Sequence, residues 1–506
     1  MKIKRTFAVA SVAAAAALTC ASPAQAVSWF GFEGTSALDN CALGECYRPP
    51  DTMGAVGTTQ FMETSNGSVA IYDKMTGAVQ SRVSMATFWG AAGQPGGAFG
   101  DQRVLFDHYT NRWIATGFGT SGNIVNIAVS DTDNAMGTWK STKIIGANVG
   151  LPSTTLDYPT LGMDDKGVYI GTNNFAPSFK GTSMFVIPKA DLFGGAPSVA
   201  GMTTITTPYF TVDNGFAIQA AVNWQGNPGN SASVMADSVA ANKQVFYKLE
   251  NVTTPGGATQ TASSYIAGAD YLDGAGPARQ PDGTRLVDTL SPRITANVVQ
   301  SNGKLYSAVT IEDGTDHAAI RWSVNDAATG VIIETGIIGG DGFDYFEGSI
   351  AVNEFGQAVL GYNRSGLETA DLNGDGKADG NISFMARVFE TDGGGGLDQV
   401  GDDLLLRVSD VSDYRCGERT TIDTACRQRW GDYAAVTMDP NDHRTFYAIG
   451  EYAADWAVIP GYTTTERAIW HTYVASITVA VPEPGTYAMM LLGLAGVGAL
   501  ARRRRV

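Results

Sequence analysis

A strand–turn–strand unit recurs along this chain and constrains its fold more than any other feature of the sequence. In each copy, a short polar turn such as Asp165-Lys166-Gly167 lies between two runs in which apolar residues alternate with others. This pattern is typical of β-hairpins. Another apolar run follows each copy. The copies are "VLFDHYTNRWIATGF" (104–118), "TLGMDDKGVYIGTNNF" (160–175), "ITANVVQSNGKLYSAVTI" (294–311), "SIAVNEFGQAVLGYNRS" (349–365) and "AAVTMDPNDHRTFYAIGEY" (434–452).

The spacing of these units predicts a β-propeller. Successive units start 56 residues apart (104 to 160) and 55 apart (294 to 349), and looser copies fit at 51–72 and 216–247. A repeat of about 50 residues with four strands is typical of propeller blades, whereas β-sandwich domains would repeat at about 100 residues. We therefore predict an all-β fold in which residues 49–480 form seven four-stranded blades, with six as the alternative.

The charge balance excludes nucleic acid as a partner. Charged residues make up only 17% of the chain, and 61 residues are Gly. Without the seven basic residues at the two ends and without Glu483, the body has 27 basic and 49 acidic residues, a net charge of −22. Such a surface repels nucleic acid and anionic lipid and attracts divalent cations.

The first 26 residues are typical of a secretory signal peptide. A basic start precedes the apolar run 7–18, and Ala24-Gln25-Ala26 has the small-x-small pattern of a cleavage site, with Ala24 and Ala26 as the small residues. We expect signal peptidase to remove residues 1–26, which leaves 27–48 as an N-terminal segment. Because an exported chain reaches an oxidising environment, the two local cysteine pairs, Cys41 with Cys46 and Cys416 with Cys426, predict two disulfides.

The stretch "DLNGDGKADG" (371–380) predicts a structural Ca²⁺ site. Oxygen ligands fall at positions 1, 3, 5, 7 and 9 of a calcium loop, and Gly376 lies at position 6, where the chain must turn sharply. Position 12 is Ile382 instead of the usual Glu. The loop lies in an insertion at about 364–408, which lengthens the interval from 349 to 434. Its expected ligands are Asp371, Asn373, Asp375, Lys377 (through its carbonyl) and Asp379.

The motifs "PPDTMGAVG" (49–57), "DYPTLGMD" (157–164), "PRI" (292–294), "RWGDYAAVTMDP" (429–440) and "EY" (451–452) resemble those of secreted bacterial propellers distantly similar to sialidases. That resemblance implies a central funnel in which arginines grip a carboxylate, and a Tyr nucleophile and acidic groups act on a glycoside. Arg103, Arg293 and Arg429 stand near the starts of units. The alternative is that these arginines pair with acids and tie neighbouring blades together. The catalytic candidates are Asp157, Tyr158, Arg293, Glu347, Arg429, Asp432 and Glu451.

The last 26 residues, "VPEPGTYAMMLLGLAGVGALARRRRV" (481–506), resemble the PEP-CTERM sorting signal of Gram-negative bacteria. Pro482-Glu483-Pro484 precedes an apolar run at 487–501, and four arginines follow (Arg502, Arg503, Arg504 and Arg505). The run is shorter than the about 20 residues of a comfortable membrane span, so we expect a short, transient C-terminal transmembrane helix. The resemblance implies processing by an exosortase in strains that make exopolysaccharide.

Three functions fit these features. The first is noncatalytic binding of exopolysaccharide or of a protein partner, after export through the inner membrane, at the cell surface or in the extracellular (biofilm) matrix. The second is a sialidase-like glycoside hydrolase acting at the central funnel. The third is a purely structural coat component.

Overall fold

The computed structural model describes residues 27–479, except 95–98, 120–121, 209–212, 239–240, 242, 271–273, 282, 284–285, 393, 413 and 415–427. Residues 27–479 form one compact unit. The predicted signal peptide with Ala24 and Ala26, the pair Cys416 and Cys426, and the sorting signal lie outside the described residues.

Short strands, many of them buried along their whole length, make up most of the first half. They are β1 (Val27–Ser36), β2 (Met53–Val56), β3 (Gln60–Ser65), β4 (Ser68–Asp73), β5 (Val79–Ser84), β6 (Phe99–Asp107), β7 (Arg112–Gly119), β8 (Ile124–Ser130), β9 (Trp139–Ile145), β10 (Thr155–Met163), β11 (Gly167–Phe175), β12 (Phe179–Pro188), β13 (Thr203–Pro208), β14 (Phe216–Ala220), β15 (Val222–Asn223), β16 (Ser231–Asp237) and β17 (Lys243–Glu250).

The second half continues the same pattern. Its strands are β18 (Thr259–Gln260), β19 (Ser264–Asp270), β20 (Val299–Ser301), β21 (Lys304–Glu312), β22 (Ala318–Asp326), β23 (Ile332–Ile338), β24 (Asp344–Val352), β25 (Gln357–Ser365), β26 (Ser383–Thr391), β27 (Leu397–Gln399), β28 (Leu404–Val408), β29 (Ala435–Met438), β30 (Thr445–Ala457) and β31 (Arg467–Val479). The helical segments are short: α1 (Ala37–Ala42), α2 (Met85–Ala91), α3 (Lys189–Phe193) and a 3-10 turn at Gly146–Val149.

The all-β propeller prediction is confirmed, and every repeat unit predicted from the sequence is a strand pair. The prediction of seven four-stranded blades, with six as the alternative, is wrong, because five blades are found in the described residues. Within the described residues, hydrogen bonds group the strands into six sheets, five of which have the four or five strands of a single blade. The sixth has nine strands, because β15 pairs in parallel with both β10 and β20 and so joins the meander β10–β13 to the meander β20–β23. Short-range strand patterns do not reveal such pairing between repeats.

The first strand of the described chain closes the ring. β1 pairs with β31 from Val27↔Val479 onward, in a sheet of order β1-β31-β30-β29. The propeller therefore starts at Val27, which corrects the expectation that 27–48 precedes it. Joining the first and last described strands in one sheet closes the circle of sheets. The remainder of 27–48 carries α1 and the predicted Cys41–Cys46 disulfide, which is present.

The predicted insertion at about 364–408 is shorter than expected. β26 and β28 lie within that range, yet both belong to the sheet that starts with β24. The inserted part is the loop 366–382 between β25 and β26. It is largely exposed, so strand periodicity stops there and resumes at Ser383.

The propeller axis has two different ends. At the end of the axis where the innermost strand of each sheet finishes, apolar side chains close the axis. These side chains leave a cavity of about 20 Å³, which is about enough for one water molecule. Trp224 lies at this end and packs against two core clusters from different sheets. At the other end, where the innermost strands begin, the side chains are polar. The cavity is lined by, among others, Val56, Phe106, Val222, Val352 and Met438.

Candidate functional site

The beginnings of the innermost strands share an unusual backbone conformation. A non-glycine residue with positive φ recurs there, and in β6, β10, β14 and β24 it sits in a bulge where the strand register shifts. Bulges re-aim side chains, and left-handed backbone strains residues that carry a Cβ, so both features are frequent at functional sites. The residues are Asp51, Asp101, Tyr158, Ala217, Leu290 and Glu347, with φ between 47° and 55°.

Arg103 is the most deeply buried charged group of this polar end. Its Nε donates to the carbonyl of Pro159 and its Nη1 to the carbonyl of Thr295, both at 3.2 Å. The guanidinium lies 3.7 Å from the ring centroid of Tyr433. Because these partners come from three other repeats, Arg103 connects the inner ends of several sheets.

Tyr158, the predicted nucleophile, is held by its hydroxyl. Its Oη donates to the main-chain oxygen of Asp432 at 3.1 Å, and its ring packs 4.9 Å from that of Tyr433. The guanidinium carbons of Arg103 and Arg293 each lie 5.5 Å from the Tyr158 ring centroid. Burial raises the pKa of Tyr158 to about 12, although both arginines oppose that rise.

The segment that carries Arg429 and Asp432 docks onto the start of the first repeat. The Arg429 guanidinium forms an ion pair with Asp432, and the Asp432 main-chain N–H donates to Asp51 Oδ1 at 2.8 Å. Asn66 Nδ2 donates to the other Asp51 oxygen at 2.5 Å. Burial raises the pKa of Asp51 well above its ordinary value, and Asp101 adds to the rise.

Glu347 and Glu451 are buried acids with incomplete hydrogen bonding. Asn363 Nδ2 donates to Glu347 Oε2 at 3.1 Å, while Glu347 Oε1 accepts no hydrogen bond, and Thr52 lies beside the Glu451 carboxyl group. Glu451 lies against the backbone of Gly431, where an added Cβ would come within 2.6 Å of Oε1. Burial raises the pKa of both glutamates well above the ordinary value, and Glu451 adds to the rise at Glu347.

Asp157 is the partly exposed acid of the cluster. Burial raises its pKa to about 6, and nearby Asp101 adds to the rise, while Arg293 and Arg429 oppose it. The structure thus brings all seven predicted candidates to one end of the axis. It adds Asp51, Asp101 and Tyr433, which the sequence reasoning did not select. Asp51 and Asp101 could have been found, because each directly precedes the first apolar run of its repeat.

These pKa shifts predict that the acids of this cluster contribute more to the free energy of unfolding at pH 5 than at pH 8. An acid whose pKa is raised on folding binds more protons in the folded chain, so the free energy of unfolding falls as pH rises from about 4 through the folded-state value. For Asp157 the fall extends to about pH 6, and the raised pKa values of Glu347 and Glu451 act in the same direction. Thermal unfolding midpoints at the two pH values measure the effect.

The matched control for this pH effect is Glu347→Gln, which cannot ionise. We expect the variant to lose less stability than the wild type between pH 5 and pH 8. An equal change in the two proteins would contradict the prediction, because the lowered pKa values of His108 and His471 favour the fold at the higher pH in both. The comparison stops at pH 5 because exposed acids with lowered pKa values, such as Asp73 and Asp313, lose their contribution in stronger acid.

The predicted calcium loop is exposed, and its side chains accept backbone hydrogen bonds. Asp371 Oδ1 accepts from Gly374 N at 2.7 Å, Asp371 Oδ2 from Gly376 N at 2.9 Å, and Asn373 Oδ1 from Asp375 N at 2.9 Å. Gly376 has a φ of +85°, as a sharp turn requires. No group of three His, Cys, Asp or Glu side chains in the described parts of the chain lies close enough to hold a metal ion.

The ion pair of Lys377 with Asp410 fixes this loop to the end of its sheet. The Lys377 ammonium also donates to Val408 O at 3.1 Å. Asp379 Oδ1 accepts from Leu372 N at 3.3 Å, so the ninth position of the loop points back toward its start. The donor set, carboxylate and amide oxygens around a tight turn, has the chemistry that Ca²⁺ prefers. Calcium binding stays a prediction.

Comparison with known proteins identifies the tail. A family described as the PEP-CTERM protein-sorting motif matches residues 480–505. The chain carries the PEP-CTERM sorting motif. This confirms the resemblance of the tail and implies an exported protein that an exosortase processes. In the described part of the chain, no helix is long and apolar enough to cross a bilayer, and the predicted C-terminal helix lies outside that part.

Solved structures similar to this chain include an endo-arabinanase, a neuraminidase-like protein and a protein of unknown function. A Dyadobacter fermentans protein of unknown function is 11% identical over 86% of this chain and 96% of its own, with a TM-score of 0.36. The GH43 endo-arabinanase of Bacillus licheniformis is 15% identical over 59% and 96%, with a TM-score of 0.30. A subtype N10 neuraminidase-like protein of A/little yellow-shouldered bat/Guatemala/060/2010 is 10% identical over 64% of this chain and 93% of its own, with a TM-score of 0.29. No curated protein sequence matches the chain.

Proposed function

We propose that this protein is an exported, noncatalytic propeller that binds exopolysaccharide or a protein partner at the cell surface or in the extracellular matrix. The observation that carries this proposal is the hydrogen bond from the Tyr158 hydroxyl to the Asp432 main chain, together with a pKa of about 12. A tyrosine nucleophile needs a base or a lowered pKa. Arg103 and Arg429 are likewise committed to main-chain oxygens and to Asp432, so the polar cluster serves to hold the sheets together.

The proposal is tested with exopolysaccharide extracted from the producing strain. Purified full-length protein is incubated with the polymer, and both co-sedimentation and the release of new reducing ends are measured. We expect co-sedimentation without new reducing ends. Absence of binding, while the protein is folded by circular dichroism, would contradict the polysaccharide proposal and favour a purely structural coat component.

A glycoside hydrolase is the second candidate function, and the paired acids favour it. Asp157 has a pKa of about 6 and is partly exposed, and Glu347 has a raised pKa in the same cluster. Glycosidases use two carboxyl groups, one of them protonated at working pH. Release of reducing ends that disappears in Asp157→Asn and Glu347→Gln, with binding retained, would establish hydrolysis and overturn the noncatalytic proposal.

The processing route and the calcium loop complete the proposal. We propose that signal peptidase removes residues 1–26, that the tail anchors the chain transiently in the inner membrane, and that exosortase then releases the propeller to the surface. We propose further that Ca²⁺ rigidifies the loop 371–380 through Asp371, Asn373, Asp375, Asp379 and the Lys377 carbonyl. Calorimetric titration of the full chain with Ca²⁺, compared with Asp375→Asn, tests the loop, and equal heats in the two proteins would contradict it.

A further inference from the structure

A groove of about 460 Å³ lies at the seam where the closing sheet meets the first sheet of the ring. One wall is a face of the closing sheet that carries hydroxyl groups. The strand register places Ser28 opposite Thr478 and Phe30 opposite Ser476 on that face, and Thr445 lies opposite Thr478 on the other side. The second wall is the turn after β4, so the groove exists only when the ring is closed.

The floor of the groove is fully paired. Lys74 Nζ contacts both Asp439 carboxylate oxygens, at 2.8 and 2.7 Å, and donates to Gly57 O at 3.1 Å. Tyr447 is buried beside them, and its hydroxyl donates to the main-chain oxygen of Lys74 at 2.9 Å. The lysine charge is therefore neutralised inside the protein, and the floor offers no free cation to an anionic ligand.

The rim combines an apolar surface with polar groups. Phe30 is 39% exposed and Met75 is 67% exposed, although both line the groove. Asn441 and Asp442 also line the groove, where the Asn441 amide donates to Thr58 O at 2.7 Å and the Asp442 carboxylate accepts from Thr445 Oγ1 at 2.8 Å. An aromatic ring beside a few convergent polar side chains is the usual make-up of a small-molecule site, and the volume falls within the roughly 300–1,000 Å³ of such sites.

We infer that this groove binds a segment of a neutral polysaccharide, and this inference rests on the proposed polysaccharide-binding function. The exposed phenyl ring of Phe30 can stack on the apolar C–H face of a sugar ring. The hydroxyl, amide and carboxylate groups match the hydroxyls of the same ring. Because the Lys74 charge is paired and the body carries a net charge of −22, an anionic polymer is repelled. A bound sugar contacts both the first and the closing sheet.

The test is affinity electrophoresis of the full-length protein through gels that contain dextran, galactomannan or xyloglucan, with alginate as the anionic comparison. We expect retardation by at least one neutral polymer and none by alginate. Phe30→Ala should weaken the binding at least tenfold, and Ser28→Arg should abolish it by filling the groove. Tyr265→Ala is the matched control, because that aromatic side chain is 49% exposed in a different sheet, and it should bind like the wild type.

Each outcome separates this inference from the proposed function. Binding to the strain's own exopolysaccharide that neither Phe30→Ala nor Ser28→Arg changes would overturn the groove and leave the proposed function standing. Retardation by alginate alone would overturn the neutral ligand. Failure of all three neutral polymers to retard a folded wild-type protein would also overturn the inference. Circular dichroism of both variants shows whether a loss of binding reflects unfolding. A loss of binding in two unrelated substitutions that both stay folded would place the ligand in the groove.

Discussion

Replacing Lys74 by Met is expected to lower the free energy of unfolding by about 3–5 kcal/mol, because it leaves the Asp439 carboxylate buried without its partner. The two side chains are 5% and 6% exposed and lie 2.7 Å apart. Lys74 directly follows β4, and Asp439 directly follows β29, so the pair joins the first sheet of the ring to the last. Urea unfolding followed by tryptophan fluorescence measures the loss.

The double variant Lys74→Met/Asp439→Leu separates the pair from its surroundings. Removing both charges should restore part of the stability that Lys74→Met loses, since the buried charge is gone. Recovery should be incomplete, because Asp439 Oδ1 also accepts from Asn441 N at 2.8 Å. Lys140→Ala is the exposed control, and it should leave the unfolding midpoint unchanged. A double variant less stable than the single one would contradict the argument.

A similar loss is expected for Arg103→Leu, at about 3–5 kcal/mol. The substitution leaves the carbonyls of Pro159 and Thr295 without donors at a buried site, removes the contact with the Tyr433 ring, and takes a positive charge away from the surrounding acids. Arg103→Lys should retain part of the stability, because a lysine keeps the charge but cannot reproduce the two separate hydrogen bonds.

The readout for Arg103 distinguishes a structural from a ligand-binding role. Unfolding free energies of Arg103→Leu and Arg103→Lys are compared with binding of exopolysaccharide by the folded fraction of each. We expect the stability to fall in the order wild type, Lys, Leu, while the folded fraction binds normally. Wild-type stability in Arg103→Leu would show that the buried arginine does not tie the sheets together.

The strand pairs could be predicted because their signal is local. The apolar pattern of a strand and turn residues such as Ser301-Asn302-Gly303 involve only residues that are close in the sequence. Every predicted hairpin is therefore found, from β2–β4 to β29–β30. The insertion was overestimated for the same reason. The exposed loop 366–382 breaks the period, and the short strands β27 and β28 are too brief to restore it in the sequence.

The polar end of the axis shows how far residue types alone can lead. The candidates from Asp157 to Glu451 were selected because each stands near the start of a repeat, and a propeller brings all those starts to one end. Their hydrogen bonds and pKa values could not be predicted from the sequence. The Tyr158 hydrogen bond joins residues 274 positions apart, and the raised pKa values of Glu347 and Glu451 come from burial.

The sequence by itself therefore determined the all-β repeat, the acidic surface and the sorting motif at the tail, since each depends on composition or on short spacings. Only the tertiary structure decided that Val27–Ser36 closes the ring, that β15 joins two repeats in one sheet, and that a hydroxyl-lined groove lies at the seam. Each of these depends on contacts between segments far apart in the chain. Such contacts form only when the whole circle of sheets closes.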